Sequence, residues 1–496
     1  MPVNTFHRAR TIGVLALAAG LAGAQTLGVN HYGFTAGDPQ MLQQLSPAPV
    51  PVRMTFYWHN VAVTPDYYDP QVAAATQVGV PILGILGYSS MDESSMPADF
   101  DFTEVSPFNI SWDTRNGPLS WGSDGGGLGT AKYLWNVKLE DGQTYPRVVT
   151  VTPTAEGGFV HGGVQFLIPA GRSVVLWAKV GFAQGADPQS RANFSITYLK
   201  GKDFPVLAGM QKGPDGALAN LSADISSLAG TSVQLFFNVD PVPGHPAAQA
   251  IWQAAGILVD GVPLSMSQEI GQDLQAVINY PPKDPDAFAA YAADLARRYP
   301  QIEAWEVWNE PNTSFFWRPA VGVAAYRNLL GKTYLAVKAA NPKAKVILGG
   351  LSPGNTASVA DSVAAADFLS LIYQAGGGAF FDAVSYHAYG AGAIEDWLRD
   401  ALLGIRYVMD MHGDLGKPVW ITEMGCYTEG PGSVTEVWQA EYLRQARTFL
   451  SRIPYLERVY WYTLQDASES TDPEANYGLF RADGSPKPAV KAFSAR

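Results

Sequence analysis

The chain has 496 residues, more than one ordinary domain needs, so we expect one large domain with a second unit, or two domains. Its 33 basic and 45 acidic residues give a formal net charge of -12 at pH 7. That charge argues against nucleic acid as a partner, because an acidic surface repels the phosphate backbone. Ordinary apolar content with abundant Gly and Pro is typical of a loop-rich globular protein and excludes a disordered or fibrous one.

The N-terminal segment, residues 1–24, predicts an export signal. Arg8 and Arg10 precede the apolar run Ile12–Leu21, and the small residues Ala22–Ala24 form a cleavage site. The apolar run is too short to cross a membrane. We therefore expect cleavage after Ala24, a secreted or periplasmic mature chain, and no membrane insertion of that chain. The alternative interpretation is a buried N-terminal helix.

Short β-rich runs alternate with amphipathic helical patterns along much of the chain. Such alternation predicts parallel βαβ units, and eight strands is the number in a (β/α)8 TIM barrel. The predicted strands are Thr26–Tyr32, Val52–Trp58, Pro81–Gly87, Ile302–Asn309, Val346–Leu351, Ala383–Ala388, Val419–Glu423 and Val459–Leu464. The predicted helices are Pro285–Arg298, Gly322–Ala340, Ala393–Met411 and Val434–Arg452.

Residues 96–264 interrupt the alternation between the third and fourth predicted strands. This stretch is rich in Gly, Pro, Val, Thr and Ser, with alternating runs at Tyr145–Thr152, Ser173–Val180, Ala192–Leu199 and Ser232–Val239. Short strands with frequent turn signals predict a β-sandwich. We therefore expect a sandwich domain inserted after the third barrel strand. The barrel would then be formed by residues 25–95 and 265–496.

Two of the predicted barrel strands end on glutamates. The first carries Glu306 in its middle and Glu310 at its end, and a later strand ends on Glu423. Chemistry in such a barrel lies at the C-terminal ends of the strands, so Glu310 is the reactive candidate. Glu306 lies about 13 Å deeper and is expected to pair with a cation in the barrel wall.

The fourth and seventh strands stand on roughly opposite sides of an eight-stranded barrel, so Glu310 and Glu423 can face one another across its mouth. Two carboxyl groups flanking one bond are the arrangement used for glycoside hydrolysis. One of the two must be protonated and the other ionised. Either glutamate alone could equally be a helix N-cap or a surface ion pair.

The motifs around these glutamates, Trp308–Pro311 (WNEP) and Trp420–Glu423 (WITE), resemble those of the clan A glycoside hydrolases. The closest similarity is to family 39 and related bacterial exopolysaccharide hydrolases, and it extends to Ser485–Pro488 (SPKP) near the C-terminus. It does not cover the insert. The resemblance implies a retaining barrel enzyme with Glu310 as acid/base and Glu423 as nucleophile.

The resemblance also implies supporting roles for neighbouring residues. Asn309 would hydrogen-bond the sugar 2-hydroxyl, and Tyr389 would hold the nucleophile in place. Arg53, in the second strand, would keep Glu423 ionised through its charge. The structural alternative for Arg53 is that it merely pairs with Glu306.

Further residues are expected at the barrel mouth. The resemblance implies that His387 lines the rim and that Trp461 forms a platform under the sugar, although either could instead be a wall or core residue. His31 and Tyr32 end the first predicted strand, and Trp58 ends the second, so we expect these three at the rim as well.

The substrate expected from these observations is an oligo- or polysaccharide. The predicted function is secreted, retaining and endo-acting hydrolysis of β-glycosidic bonds, with a non-catalytic carbohydrate-binding barrel or a transglycosylase as alternatives.

No metal or cofactor is expected, because the histidines lack ligand spacing and Cys426 is the only cysteine. The later part of the insert, Leu221–Asp260, resembles jelly-roll carbohydrate-binding modules, so sugar binding and a structural cleft wall remain alternatives for that domain. Sugar identity, linkage and oligomeric state stay open.

Overall fold

The computed structural model describes residues 25–494 except 36, 104–110, 120–126, 247–248, 266–276, 355–361, 391–392 and 469. The predicted export signal, residues 1–24, lies outside the described residues. None of the helices in the described part of the chain has the length and apolar character that crossing a bilayer requires.

The first barrel segment contains three strands and three helices. The strands are β1 (Thr26–Asn30), β2 (Val52–Tyr57) and β3 (Ile82–Gly87). The helices are α1 (Asp38–Leu45), α2 (Trp58–Val63) and α3 (Asp69–Gln77). Both faces of β3 are buried, as expected of a parallel strand covered by helices on the outside and by side chains on the inside.

Twelve strands, all paired antiparallel, follow β3 and form two sheets of six strands each. They are β4 (Ser111–Thr114), β5 (Gly117–Pro118), β6 (Gly129–Lys138), β7 (Thr144–Pro153), β8 (Val160–Leu167), β9 (Val174–Phe182), β10 (Ala192–Tyr198), β11 (Val206–Lys212), β12 (Ala219–Asp224), β13 (Ser232–Pro241), β14 (Ala250–Val259) and the short β15 (Val262–Pro263), which pairs with β14.

The two antiparallel sheets share one apolar cluster, which includes Phe166 of β8, Val180 of β9, Leu235 of β13 and Trp252 of β14. Buried side chains alternate with more exposed ones along part of β8 and β9, the pattern of sheets that are buried on one face. The flanking chain segments meet, because Asp99 bridges to Ser265 and Ser94 to Pro282. The chain therefore leaves the barrel and returns to it at neighbouring points.

The second barrel segment alternates helices with five further strands. The strands are β16 (Ala304–Asn309), β17 (Lys345–Gly350), β18 (Val384–Ala388), β19 (Val419–Met424) and β20 (Leu456–Trp461). The helices are α4 (Pro285–Arg298), α5 (Val323–Ala340), α6 (Ala365–Gln374), α7 (Ile394–Met411), α8 (Glu436–Leu450) and α9 (Pro488–Ser494).

Eight parallel strands form one sheet in the order β17-β16-β3-β2-β1-β20-β19-β18. The edge strands β17 and β18 also meet, through parallel bridges from Ile347 to Ala383 and from Leu351 to Tyr386. The sheet therefore curls into a nearly closed barrel, and the expected α/β barrel architecture is confirmed.

Side chains fill the barrel interior in layers. A lower layer is apolar and includes Leu83, Ile347, Trp420 and Tyr460. Glu306 follows Ala304 of that layer on β16 and is fully buried, which matches the depth expected from the sequence. The polar groups of the barrel thus lie on an apolar floor, near the end where the strands terminate.

Candidate active site

A cavity of about 530 Å³ opens at the carboxyl ends of the barrel strands, a volume within the usual range for ligand sites. It is lined by Glu310 and Glu423 together with Asn309, Arg53 and His31. Much of the remaining wall is aromatic: Tyr32, Tyr57, Tyr88, Phe315, Phe316, Tyr389, Tyr462 and Tyr477. The two glutamates selected from the sequence therefore share one cavity.

Glu310 is positioned by a strained turn at the end of β16. Trp308 has φ +69° and Glu310 has φ +42°, backbone conformations that non-glycine residues rarely adopt. Hydrogen bonds hold this turn, from Trp308 Nε1 to the Phe316 carbonyl at 2.6 Å and from the Glu310 amide to the Gly350 carbonyl at 3.0 Å. Strain of this kind is typical of functional sites, where the surrounding structure maintains it.

Glu423 lies near the end of β19, and both of its carboxylate oxygens have partners. Oε1 accepts a hydrogen bond from Arg53 Nη1 at 2.6 Å, and Oε2 accepts one from the Tyr389 hydroxyl at 3.0 Å. Its side chain is only 12% exposed. The carboxylate is therefore fixed in orientation by donors from β2 and from the residue that follows β18.

Arg53 contacts two carboxylates at once. Its Nε donates to Glu306 at 2.6 Å while Nη1 donates to Glu423 at 2.6 Å. Glu306 is fully buried and also accepts hydrogen bonds from Ser385 at 2.7 Å and Thr422 at 3.0 Å. Arg53 therefore makes both of the contacts considered from the sequence: the structural ion pair with Glu306 and the electrostatic contact with Glu423.

His387 was expected to line the rim, but the structure buries it fully, between the two glutamates. Its Nδ1 is 2.8 Å from Glu310 Oε1, and its Nε2 is 3.5 Å from Glu423 Oε1. Nε2 is also 3.3 Å from Arg53 Nη2, and arginine can only donate. In the neutral imidazole, therefore, Nε2 accepts from Arg53 and Nδ1–H donates to Glu310.

The surroundings of Glu423 favour its ionised form. Burial raises the pKa of Glu423, but the electrostatic influence of neighbouring His387 and of the Arg53 guanidinium lowers it, as do hydrogen bonds from Arg53 and Tyr389. The net result is a pKa of Glu423 below its ordinary value. Glu423 is consequently a carboxylate over most of the pH range, as an attacking group must be.

Glu310, His387 and Glu423 each offer one possible ligand atom, and these atoms lie within 4.8 Å of one another. This set could in principle hold a metal ion. However, the Arg53 guanidinium is hydrogen-bonded to Glu423 and contacts His387. A fixed positive charge at that position disfavours a cation, so the donor set fits a metal poorly.

Asn309 and His31 line the cavity, where they were expected. The Asn309 side-chain oxygen accepts a hydrogen bond from Arg53 Nη2 at 3.2 Å, which orients the amide. His31 Nε2 is 3.0 Å from Asp38 Oδ2 at the start of α1. Both residues are thus anchored at the cavity wall through one side-chain atom.

The expected platform role of Trp461 was wrong. Trp461 is buried on the outer side of β20, donates to the Tyr477 carbonyl at 3.0 Å and packs near Tyr442 of α8. Successive strand residues face opposite sides, and Tyr460 lies in the barrel interior, so Trp461 must point outward. Tyr462 lines the cavity instead.

The expected rim position of Trp58 was also wrong. The chain turns into α2 at this residue, and the indole ring stacks on Tyr291 of α4 at a centroid distance of 5.5 Å. Trp58 is 8% exposed and belongs to the hydrophobic core. An early helix start therefore moves its side chain from the mouth to the layer between barrel and helices.

Sequence reasoning did not select Tyr462, Tyr477 or Glu474 as site residues, yet all three line the cavity. Alternate residues of a strand face the same side, so Tyr462 could have been selected once Tyr460 was placed inside the barrel. Tyr477 and Glu474 belong to the long segment after β20, where no periodic pattern indicates which side chains face the site.

One family model matches part of the chain. Residues 293–493 match the family model described as glycosyl hydrolase catalytic core. No curated protein matches the chain. Among solved structures, a glucosidase from Croceicoccus marinus aligns with a TM-score of 0.37 and 17% identity, over 46% of this chain and 52% of that one. The chain therefore spans only about half the length of that glucosidase.

Two further solved structures are similar over longer stretches. A family 39 glycoside hydrolase from Bacteroides cellulosilyticus WH2 aligns with a TM-score of 0.34 and 16% identity, covering 66% of this chain and 81% of that one. The CBM22-1–GH10 modules of an endo-1,4-β-D-xylanase from Clostridium thermocellum align with a TM-score of 0.32 and 13% identity, covering 81% and 97%. The matched residues 293–493 include both Glu310 and Glu423, so this part of the chain is similar to a glycosyl hydrolase catalytic core.

Proposed function

We propose that the protein is a retaining glycoside hydrolase that cleaves β-glycosidic bonds by double displacement, with Glu423 as nucleophile and Glu310 as acid/base. The observation that carries the proposal is the spacing of the two acids. A carboxylate oxygen of Glu310 and one of Glu423 lie within 4.8 Å of each other. Retaining enzymes hold their carboxyl groups about 5–5.5 Å apart, whereas inverting enzymes need about 6.5–9.5 Å to admit a water molecule.

In the first step, a Glu423 oxygen bonds to the anomeric carbon while the bond from that carbon to the leaving oxygen breaks. Glu310 gives its proton to the leaving oxygen. In the second step, the Glu310 carboxylate takes a proton from water, whose oxygen bonds to the anomeric carbon and releases Glu423. His387 contacts both acids and holds Glu310 in position through its Nδ1.

The proposal is tested by replacing each glutamate. Glu423→Ala should abolish hydrolysis of an activated aryl β-glycoside, and azide should restore product as a glycosyl azide of inverted configuration. Glu310→Ala should retain turnover of substrates with good leaving groups and lose it with poor ones. Glu303→Gln, which removes an exposed acid before β16, is the control. Inverted sugar products from the parent enzyme would contradict the mechanism.

We further propose that the two antiparallel sheets form a jelly-roll-like β-sandwich that extends the cleft for a polysaccharide. Arg147 of β7 donates to the Pro319 carbonyl at 3.1 Å, in the loop that follows Glu310. This contact supports an insert that extends the acid/base side of the cleft, an arrangement suited to internal cleavage of long chains. Endo action predicts that polysaccharide viscosity falls faster than reducing ends appear, and exo action predicts the reverse.

Export is proposed on the sequence of residues 1–24. N-terminal sequencing of the protein recovered from culture medium or periplasm should begin at Gln25. Recovery of the chain with its first residues intact would contradict this proposal.

A further inference from the structure

The charges around the cavity are unevenly distributed. Of the described residues that line it, Arg53 alone carries a permanent positive charge, and that charge is taken up by Glu306 and Glu423. His31 also lines the cavity and is paired with Asp38. Each positive group identified in the wall therefore already has an acidic partner within the protein.

A third carboxylate, Glu474, also lines the cavity. Double displacement requires two carboxyl groups, so Glu474 has no part in the chemistry proposed above. Its side chain stands at the exposed rim, in the segment that follows β20. The turn that carries Glu474 is bonded to the loop that follows Glu423, because the Asn476 carbonyl accepts a hydrogen bond from the Thr428 amide, so Glu474 lies on the nucleophile side of the cavity.

The turn that carries Glu474 is held firmly in place. Asp472 accepts a hydrogen bond from the Glu474 amide at 3.1 Å, and the Asn476 side chain donates to the carbonyls of Ser470 and Asp472 at 2.6 and 2.8 Å. Asn476 is only 4% exposed, and its carbonyl accepts from the Thr428 amide at 3.0 Å. Glu474 therefore lies in a turn that hydrogen bonds hold in place, and not at the free tip of a loop.

We infer that Glu474 is a specificity-determining residue, which selects glycans that carry a protonated amino group on the glycone side of the cut bond and excludes carboxylated ones. The inference rests on the proposed function, because the assignment of Glu423 as nucleophile defines which side of the cavity holds the glycone. A carboxylated sugar would face the acidic wall without a free cation, whereas an ammonium group would gain a partner in Glu474. A neutral sugar would be accepted without this added attraction.

The electrostatic coupling of Glu474 to the reaction centre agrees with this assignment. Partial burial at the rim raises the pKa of Glu474, and the negative charges of Glu423, Asp472 and Glu310 raise it further. The carboxyl therefore lies close enough to both acids of the reaction centre to sense their charge. A bound ammonium group would relieve that mutual repulsion.

The test compares three β-1,4-linked pentasaccharides of one backbone: a chitosan pentamer, cellopentaose and a 6-carboxylated cellopentaose. Binding is measured calorimetrically at about pH 6, above the ordinary carboxyl range and where the amino groups of a chitosan oligomer are still largely protonated. The parent protein should bind the chitosan pentamer more tightly than cellopentaose, and the carboxylated form most weakly. Glu474→Gln should lower affinity for the chitosan pentamer about fivefold and change affinity for cellopentaose less than about twofold.

Glu303→Gln, which removes an exposed acid outside the cavity, should leave all three affinities unchanged. Equal affinity of the parent for the three sugars, binding of none of them, or an unaltered chitosan preference in Glu474→Gln would overturn the inference. Binding is read independently of hydrolysis, so the two proposals fail separately. Cleavage of glycans without a preference for the amine would refute the role of Glu474 and leave the proposed function standing. A preference for the amine without any cleavage would refute the proposed function and leave the role of Glu474 standing.

Discussion

Arg53 offers the sharpest test of the site, because it pairs simultaneously with a buried acid and with the proposed nucleophile. Arg53→Gln leaves Glu306 fully buried without its cation. Removing one partner of a buried ion pair costs about 3–5 kcal/mol of unfolding free energy, since the remaining charge is left uncompensated. We expect a loss of this size in urea unfolding of the variant.

The same substitution should change the pH dependence of hydrolysis. The nucleophile must be ionised, so activity falls as pH drops through the pKa of Glu423. Arg53 contributes to holding that pKa below its ordinary value. Without Arg53, burial raises the pKa of Glu423 with less opposition. The acid limb of the kcat/KM profile should therefore move upward by about 1–3 pH units.

A double variant separates the two roles. In Arg53→Gln/Glu306→Gln, the buried charge is gone, and the new amide oxygen can still accept from Ser385 and Thr422. Most of the lost stability should return, whereas the acid limb should stay displaced, because Glu423 still lacks its cation. Recovery of the parent pH profile together with stability would refute the electrostatic role and leave Arg53 a purely structural partner of Glu306.

Three further substitutions have defined outcomes. Tyr389→Phe removes the hydroxyl donor to Glu423, so kcat should fall about tenfold or more and the acid limb should shift upward in a pH–rate profile. Trp461→Phe should cost about 1–3 kcal/mol in urea unfolding and leave KM unchanged, because the indole lies outside the cavity; a raised KM would contradict its placement. Asn309→Ala should lower kcat/KM about tenfold on ordinary glycosides and have little effect on 2-deoxy analogues, as comparative kinetics would show.

The sequence predicted those parts of the site that follow from strand geometry. The rise per residue separated Glu310 at the mouth from Glu306 in the wall, and the structure buries Glu306 against Arg53 as that argument requires. The rule that barrel chemistry lies at the carboxyl ends of strands likewise brought Glu423 into the same cavity. Both arguments depend only on position within a regular element.

The failures arose where a residue type was given more weight than its geometry. Trp461 was selected because tryptophan suits a sugar platform, although its neighbour Tyr462 occupies the inward-facing position of the alternation. Trp58 was placed by extending a strand by one residue, where the chain already begins a helix. Glu474 lies in an irregular segment, and only the tertiary fold brings it to the cavity.

The polar layer of the barrel explains why an arginine stands at position 53. Its guanidinium reaches Asn30 on β1, Glu306 and Asn309 on β16, and Glu423 on β19, at distances from 2.6 to 3.2 Å. Lysine has three donors on a point charge and cannot satisfy such divergent acceptors, whereas arginine has five in a fixed fork. The single side chain that neutralises the buried acid therefore also orients Glu423, the proposed nucleophile, and Asn309, so the stability of the barrel and the geometry of the site depend on the same contacts.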